Sequence, residues 1–189
     1  SDFHENQGAD GYGAAPERQG TASTWEWDFK FGEGFPTLRS ETQYVNVTEW
    51  HATGFNAPGH PLVIAAQQGQ LWASSYGWDG EENRGRSAWR CMLAASYRPG
   101  VWYRMRVHAH WADADGYLKV QLGLAGEDGW LGTCIRDDGM GDLFHDPNGR
   151  PDEIYLAQNL YRGPSYTRDM TIYYDNTRQD CSLADDGDC

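Results

Sequence analysis

The stretch TWEWDFKF, residues 24–31, alternates without a break: Trp25, Trp27, Phe29 and Phe31 fall on one side of an extended chain, Glu26, Asp28 and Lys30 on the other. A helix would scatter those four rings around its circumference. A strand gathers them on one face, so the segment reads as a half-buried strand. Further extended runs follow in TQYVNVTEWH, HPLVIAAQQ, GQLWASSY, SAWRCMLAAS, VWYRMRVHAHW, YLKVQLGL, IYLAQNLYR and DMTIYYDNTR, many of them separated by Gly, Pro, Asn or Asp. No segment sustains a 3.6-residue period, and there is no internal repeat. Nine Trp, eleven Tyr and 23 Gly fit the same picture. The expectation is an all-β protein, a sandwich of two antiparallel sheets.

With 189 residues the chain has the length of one β domain with tails. We place an arm at 1–20, a body at 21–179 and an acidic tail at 180–189. The arm and tail lack periodicity, so order there requires an anchor such as a metal, a disulfide or a neighbouring subunit, which raises self-assembly through these two segments as an expectation.

The formal charge is −13, from 28 acidic against 15 basic residues, and the only lysines are Lys30 and Lys119. Such a surface speaks against non-specific nucleic-acid binding, which requires many cations against phosphate. No run approaches the roughly 18 apolar residues of a membrane span, and no signal peptide is visible, as expected of a chain that begins after one has been removed. Four cysteines without a C-x-x-C spacing point away from a zinc knuckle and towards an oxidised, secreted protein. Three connectivities are possible; we expect Cys91 with Cys134 across the body and Cys181 with Cys189 around the loop CSLADDGDC. The tripeptide NVT makes Asn46 a glycosylation sequon by pattern.

Three segments, in order, resemble the β-jelly-roll polysaccharide lyases of the heparin-lyase and glucuronan-lyase kind. VNVTEWHATGFNAPGHPLVIAAQQGQLWAS is similar to that family's QWH strand, Pro-containing loop and strand pair. PGVWYRMRVHAHWADADGYLKVQLG resembles its long hairpin, and IYLAQNLYRGPSYTRDMTIYYDNTR its YxKxGxYR strand followed by the closing YYDN-R strand. The resemblance implies a concanavalin A-like jelly roll and a secreted enzyme that cleaves a uronate-containing polysaccharide by β-elimination. In that reaction a base removes the C5 proton, an acid protonates the departing C4 oxygen, and a polar or cationic group neutralises the carboxylate. By the same resemblance His51 matches the family histidine and Tyr161 the catalytic tyrosine. Ala157 stands where the family carries lysine, Asn159 where it carries glycine, and Gly20 where an RxE-like pair beginning at Arg18 would have its acid.

Gln158 and Arg162 flank Tyr161 as candidate contacts to the substrate carboxylate, although strand parity sets both on the face opposite it. The hairpin offers a further cationic stripe, since Arg104, Arg106, His108 and His110 alternate with the apolar side of their strand. The stripe reads either as a site for an acidic polysaccharide or as a solvated face balanced by carboxylates; His108 and His110 could also share a metal. Calcium is the cofactor we consider, because HDPNGRPDE places Asp146, Asn148 and Asp152 in one Gly/Pro turn, with Asp175 on the last strand and Glu5 of the arm as further oxygen donors. Two other functions stay open. One is a non-catalytic glycan-binding or structural subunit of an extracellular assembly, favoured by Ala157, Gly20 and the acidic charge. The other is glycoside hydrolysis, for which the chain lacks an E-x-D-x-x-E strand.

Overall fold

The computed structural model describes residues 3–4, 17–18, 20–40, 42–52, 60–75, 89–112, 115–137, 153–163 and 169–180. Eleven strands account for most of them: β1 (Phe3–His4), β2 (Ala22–Phe31), β3 (Tyr44–Ala52), β4 (Leu62–Gln67), β5 (Gln70–Ser75), β6 (Trp89–Ala94), β7 (Trp102–His110), β8 (Tyr117–Leu124), β9 (Gly132–Arg136), β10 (Ile154–Arg162) and β11 (Ile172–Asp180). They form a six-stranded sheet in the order β1-β10-β3-β4-β5-β6 and a five-stranded sheet in the order β11-β2-β7-β8-β9. All named pairings are antiparallel. The two sheets make a jelly roll. Among the described residues no helix is long and apolar enough to cross a membrane.

Alternation decides which side of each strand is dry. Trp25, Trp27, Phe29 and Phe31 of β2 and Met105, Val107 and Ala109 of β7 meet Val45, Val47 and Trp50 of β3, Leu62, Ile64 and Ala66 of β4, and Leu156 of β10 in one core. Trp50 is central to it, with its ring centroid 5.8 Å from that of Trp27 and 6.1 Å from that of Trp111. Because Trp50 points inward, Glu49 and His51 on either side of it point out of the six-stranded sheet. On β7 the inward Met105 and Val107 likewise turn Arg104, Arg106 and His108 out of the other sheet. The outward faces of the two sheets lie on opposite sides of the molecule.

One margin of the sandwich is joined covalently. Cys91 of β6 and Cys134 of β9 form the expected disulfide, closing a separation of 43 residues. Beside it a Cβ on Gly132 would lie 1.9 Å from the Leu93 carbonyl oxygen, so only glycine lets the two sheets approach there. At the other margin the Tyr174 hydroxyl hydrogen of β11 is shared between the carbonyls of Val47 on β3 and Asn159 on β10, the latter at 2.8 Å.

Two strands are additional to those marked by alternation. β9 is short and lies among glycines, and β1 pairs only Phe3 with Gln158 and His4 with Ala157. Part of the 1–20 segment is therefore built into the sheet. Glu17 is buried as well: its backbone bridges to Ile154, and its carboxylate accepts from Ser23, Trp25 Nε1 at 2.8 Å, Gln179 Nε2 at 3.0 Å and Thr21 Oγ1 at 3.1 Å.

Candidate functional site

The outer face of the six-stranded sheet is organised around Glu49, whose side chain is sealed from solvent at 2% exposure although it sits on the outward side of β3. Its carboxylate accepts from the amide of Asn46, from Asn159 Nδ2 at 2.7 Å and from His51 Nε2 at 2.8 Å. Burial works against the charge, yet the His51 hydrogen bond, the nearby His60 ring and the amides of Asn159 and Asn46 together hold the carboxyl down at about 2. An ionised carboxylate only accepts, so His51 is fixed as the Nε2–H tautomer and, when neutral, carries its lone pair on Nδ1.

The His51 ring is about one quarter exposed and is held on two further sides. Tyr155, its direct partner across the β3–β10 pairing, stacks on it with centroids 5.5 Å apart and planes at 14°. His60, on the approach to β4, meets it edge-on at 4.2 Å. Burial, followed by the field of Glu49, raises the Tyr155 phenol, so it keeps its proton. Burial lowers His60, outweighing the attraction of Glu49. The result is an imidazole, a protonated phenol and an anchoring carboxylate gathered at one corner of the sheet's outer face.

Tyr161 is also on this face, but elsewhere. It pairs with Asn46, five residues along β3 from His51, which at about 3.3 Å per residue is roughly 16 Å away. The phenol beside His51 is thus Tyr155, and Tyr161 departs from the joint arrangement expected for the two: it is half exposed, with its ring 6.3 Å from that of Tyr44. Farther across the sheet Arg90 of β6 lies over the Trp72 ring at 3.9 Å and donates to Gln67. Val63 and Ala65 of β4 share this outward side, Val63 buried and Ala65 half-buried.

The flanking residues obey parity. Gln158 is buried opposite Thr48 and donates to Thr177 Oγ1 at 2.8 Å, and Arg162 pairs with the core residue Val45 at the exposed end of β10. Neither reaches the His51 corner. The stripe on β7 is on the outer face of the other sheet, away from His51, and its members are engaged. Arg104 donates to the carbonyls of Glu127 and Gly129 and lies over Trp130, while Arg106 pairs with Glu26, which also holds Arg178. His108 Nδ1 is 3.0 Å from Thr24 Oγ1, and His110 Nδ1 is 3.3 Å from the Asp115 carbonyl. Burial first, then Lys119 and His110, lower His108.

Asp146, Asn148 and Asp152, Glu5, and the Cys181–Cys189 pair lie outside the described residues. Asp175 is exposed on β11, where it accepts from the Asn176 backbone N–H. The sequon reading of Asn46 is overturned: the residue is buried and its amide is bonded to Glu49, which leaves no room for a glycan. Sequence reasoning passed over Glu49, Tyr155 and His60. Parity could have found the first, two residues before His51, and the second, six before Tyr161. His60 carries no such signal because a loop brings it back.

Comparison with solved structures agrees with this architecture. An alginate lyase from Klebsiella pneumoniae superposes with a TM-score of 0.57 over 86% of this chain and 60% of its own, at 12% identity. Alginate lyase A1-II' gives 0.57 over 88% and 65% at 15% identity, and an alginate lyase from Pseudomonas aeruginosa 0.54 over 86% and 65% at 14%. The fold is the jelly roll of alginate lyases. This jelly roll spans less than two thirds of the length of those relatives. No protein-family model matches the sequence, and no curated protein does either.

Proposed function

We propose that this chain is a secreted polysaccharide lyase that opens an acidic, uronate-containing glycan by β-elimination on the outer face of the six-stranded sheet. The observation that carries this reading is His51, locked by buried Glu49 into one tautomer and stacked on a phenol that retains its proton. The Nδ1 lone pair of His51 takes the C5 proton, the C4–O bond breaks, and Tyr155 gives its proton to the departing oxygen, leaving a C4=C5 double bond in the new end. The glycan lies across this outer face, with Tyr161, Tyr44, Trp72 and Arg90 as outlying contacts. The jelly roll shared with alginate lyases supports a sheet of this shape as a platform for such a chain, and the Cys91–Cys134 disulfide fits secretion.

The test is incubation with alginate, glucuronan and glycosaminoglycans while following the ultraviolet absorbance of the unsaturated product. Activity on at least one uronate polymer, abolished by His51→Ala, is expected. Silence on all of them with divalent cations supplied overturns the reading.

One observation favours a second reading. The group next to His51 is a buried anion, and an anion repels both a uronate carboxylate and the charge that builds on it during proton removal. A non-catalytic glycan-binding module on the same face accommodates that anion without cost. Glycan-array binding by wild type, retained in His51→Ala and unaccompanied by product absorbance, decides for this second reading.

A further inference from the structure

Glu49, His51 and His60 each present a donor atom, and the three donors lie within 4.8 Å of one another. We propose that they form a binding site for a divalent transition metal of the zinc class, which shares His51 with the lyase reading but holds whether or not cleavage occurs. Two imidazoles and one carboxylate are the donor set of borderline metals, whereas calcium would demand six or more oxygens. The three come from adjoining parts of one sheet, with β3 supplying Glu49 and His51 and the chain entering β4 supplying His60, so no large rearrangement is required to close them on an ion.

A second observation points the same way. His60 Nδ1 is buried and has no hydrogen-bond partner among the described residues. An imidazole nitrogen left unsatisfied in the interior normally costs free energy, and the cost disappears if a metal or its bound water takes the lone pair. The remaining polar contacts act as an outer layer: Asn46 and Asn159 orient the Glu49 carboxylate, and Tyr155 fixes the plane of the His51 ring. Because His51 stays one quarter open to the sheet surface, a three-ligand ion here keeps a coordination position facing the groove. The ion would replace the His51–Glu49 hydrogen bond with two metal bonds. That removes His51 from proton transfer, so the loaded protein holds glycan without cutting it.

The experiment is direct metal binding by the full chain after chelator treatment, with calorimetry and metal analysis of dialysed protein. Wild type is expected to take up one zinc that calcium does not displace, and His108→Ala, which alters the only i, i+2 histidine pair on the opposite sheet, is expected to take up the same. Loss of this zinc is expected in His60→Ala and Glu49→Gln. Uptake unchanged in His60→Ala, or no uptake by wild type, overturns the site. Should either variant fail to fold, ring-nitrogen NMR of wild type decides: zinc must shift His51 and His60, and shifts confined to His108 and His110 refute the proposal. None of these readouts uses cleavage, so the metal site and the lyase reading fail separately.

Discussion

A phenol 5.5 Å from the His51 ring and another six residues farther along the strand are expected to behave differently on substitution. Removing the Tyr155 hydroxyl takes away the acid, so Tyr155→Phe should lower kcat by roughly 10²–10⁴-fold with little change in KM. Tyr161→Phe should raise KM and leave kcat nearly intact; steady-state kinetics on the best uronate polymer separate the two. On the opposite sheet, Glu26 makes a different point. Burial opposes its charge, but hydrogen bonds from Arg178 and Arg106 outweigh that and hold its carboxyl below the ordinary range. A depressed carboxyl stabilises the fold fully above its ordinary value and loses that contribution as pH falls through the lower folded value. The melting-temperature gap between wild type and Glu26→Gln should therefore be open at pH 7 and shrink in strong acid. At this scale the sequence was only half legible: the resemblance picked out His51, but the partner that sets its chemistry is a glutamate reached by counting two residues back, and His60 is delivered by a loop whose course no periodicity encodes.

Strands were the legible elements, because a core between two sheets imposes period two on every segment that lines it, as TWEWDFKF and WYRMRVHAHW show. What alternation could not give was β9, five residues with a glycine at the start, or the contribution of Phe3–His4, whose pairing depends on the β10 edge rather than on its own pattern. Parity also correctly separated Gln158 and Arg162 from Tyr161, yet no rule applied to one strand says that β7 and β3 turn their polar sides to opposite surfaces. That follows only from their assignment to different sheets. The β6–β9 seam depends on a covalent bond as well as a close approach at Gly132. Reducing Cys91–Cys134 frees a loop of 43 residues, and the chain-entropy estimate for a loop of that size is about 4 kcal/mol. Urea unfolding with and without reductant should show a loss of unfolding free energy of that order, with a steeper slope for the reduced chain, whose unfolded state is less compact.

For the molecule as a whole, a formal charge of −13 sets the long-range field against any polyanion. Screening shortens the reach of that field from about 30 Å at 0.01 M salt to about 8 Å at 0.15 M. Binding of an acidic glycan should accordingly strengthen as salt is raised through this range, the reverse of what a cationic groove would show, and KM measured across it gives the sign. The same molecule is also unequal at its two margins. A sulfur bridge stitches β6 to β9, while at the opposite margin β11 is held to the other sheet by the hydrogen bonds of Tyr174 and Thr177. A book sewn along its spine and merely clasped in front opens at the clasp. The Tyr174 clasp fastens the backbone of Asn159, the residue whose amide steadies Glu49. Tyr174→Phe should therefore speed hydrogen exchange in β10 at temperatures where β6 and β9 remain protected. Warming would silence the His51 corner while the binding at the spine still holds.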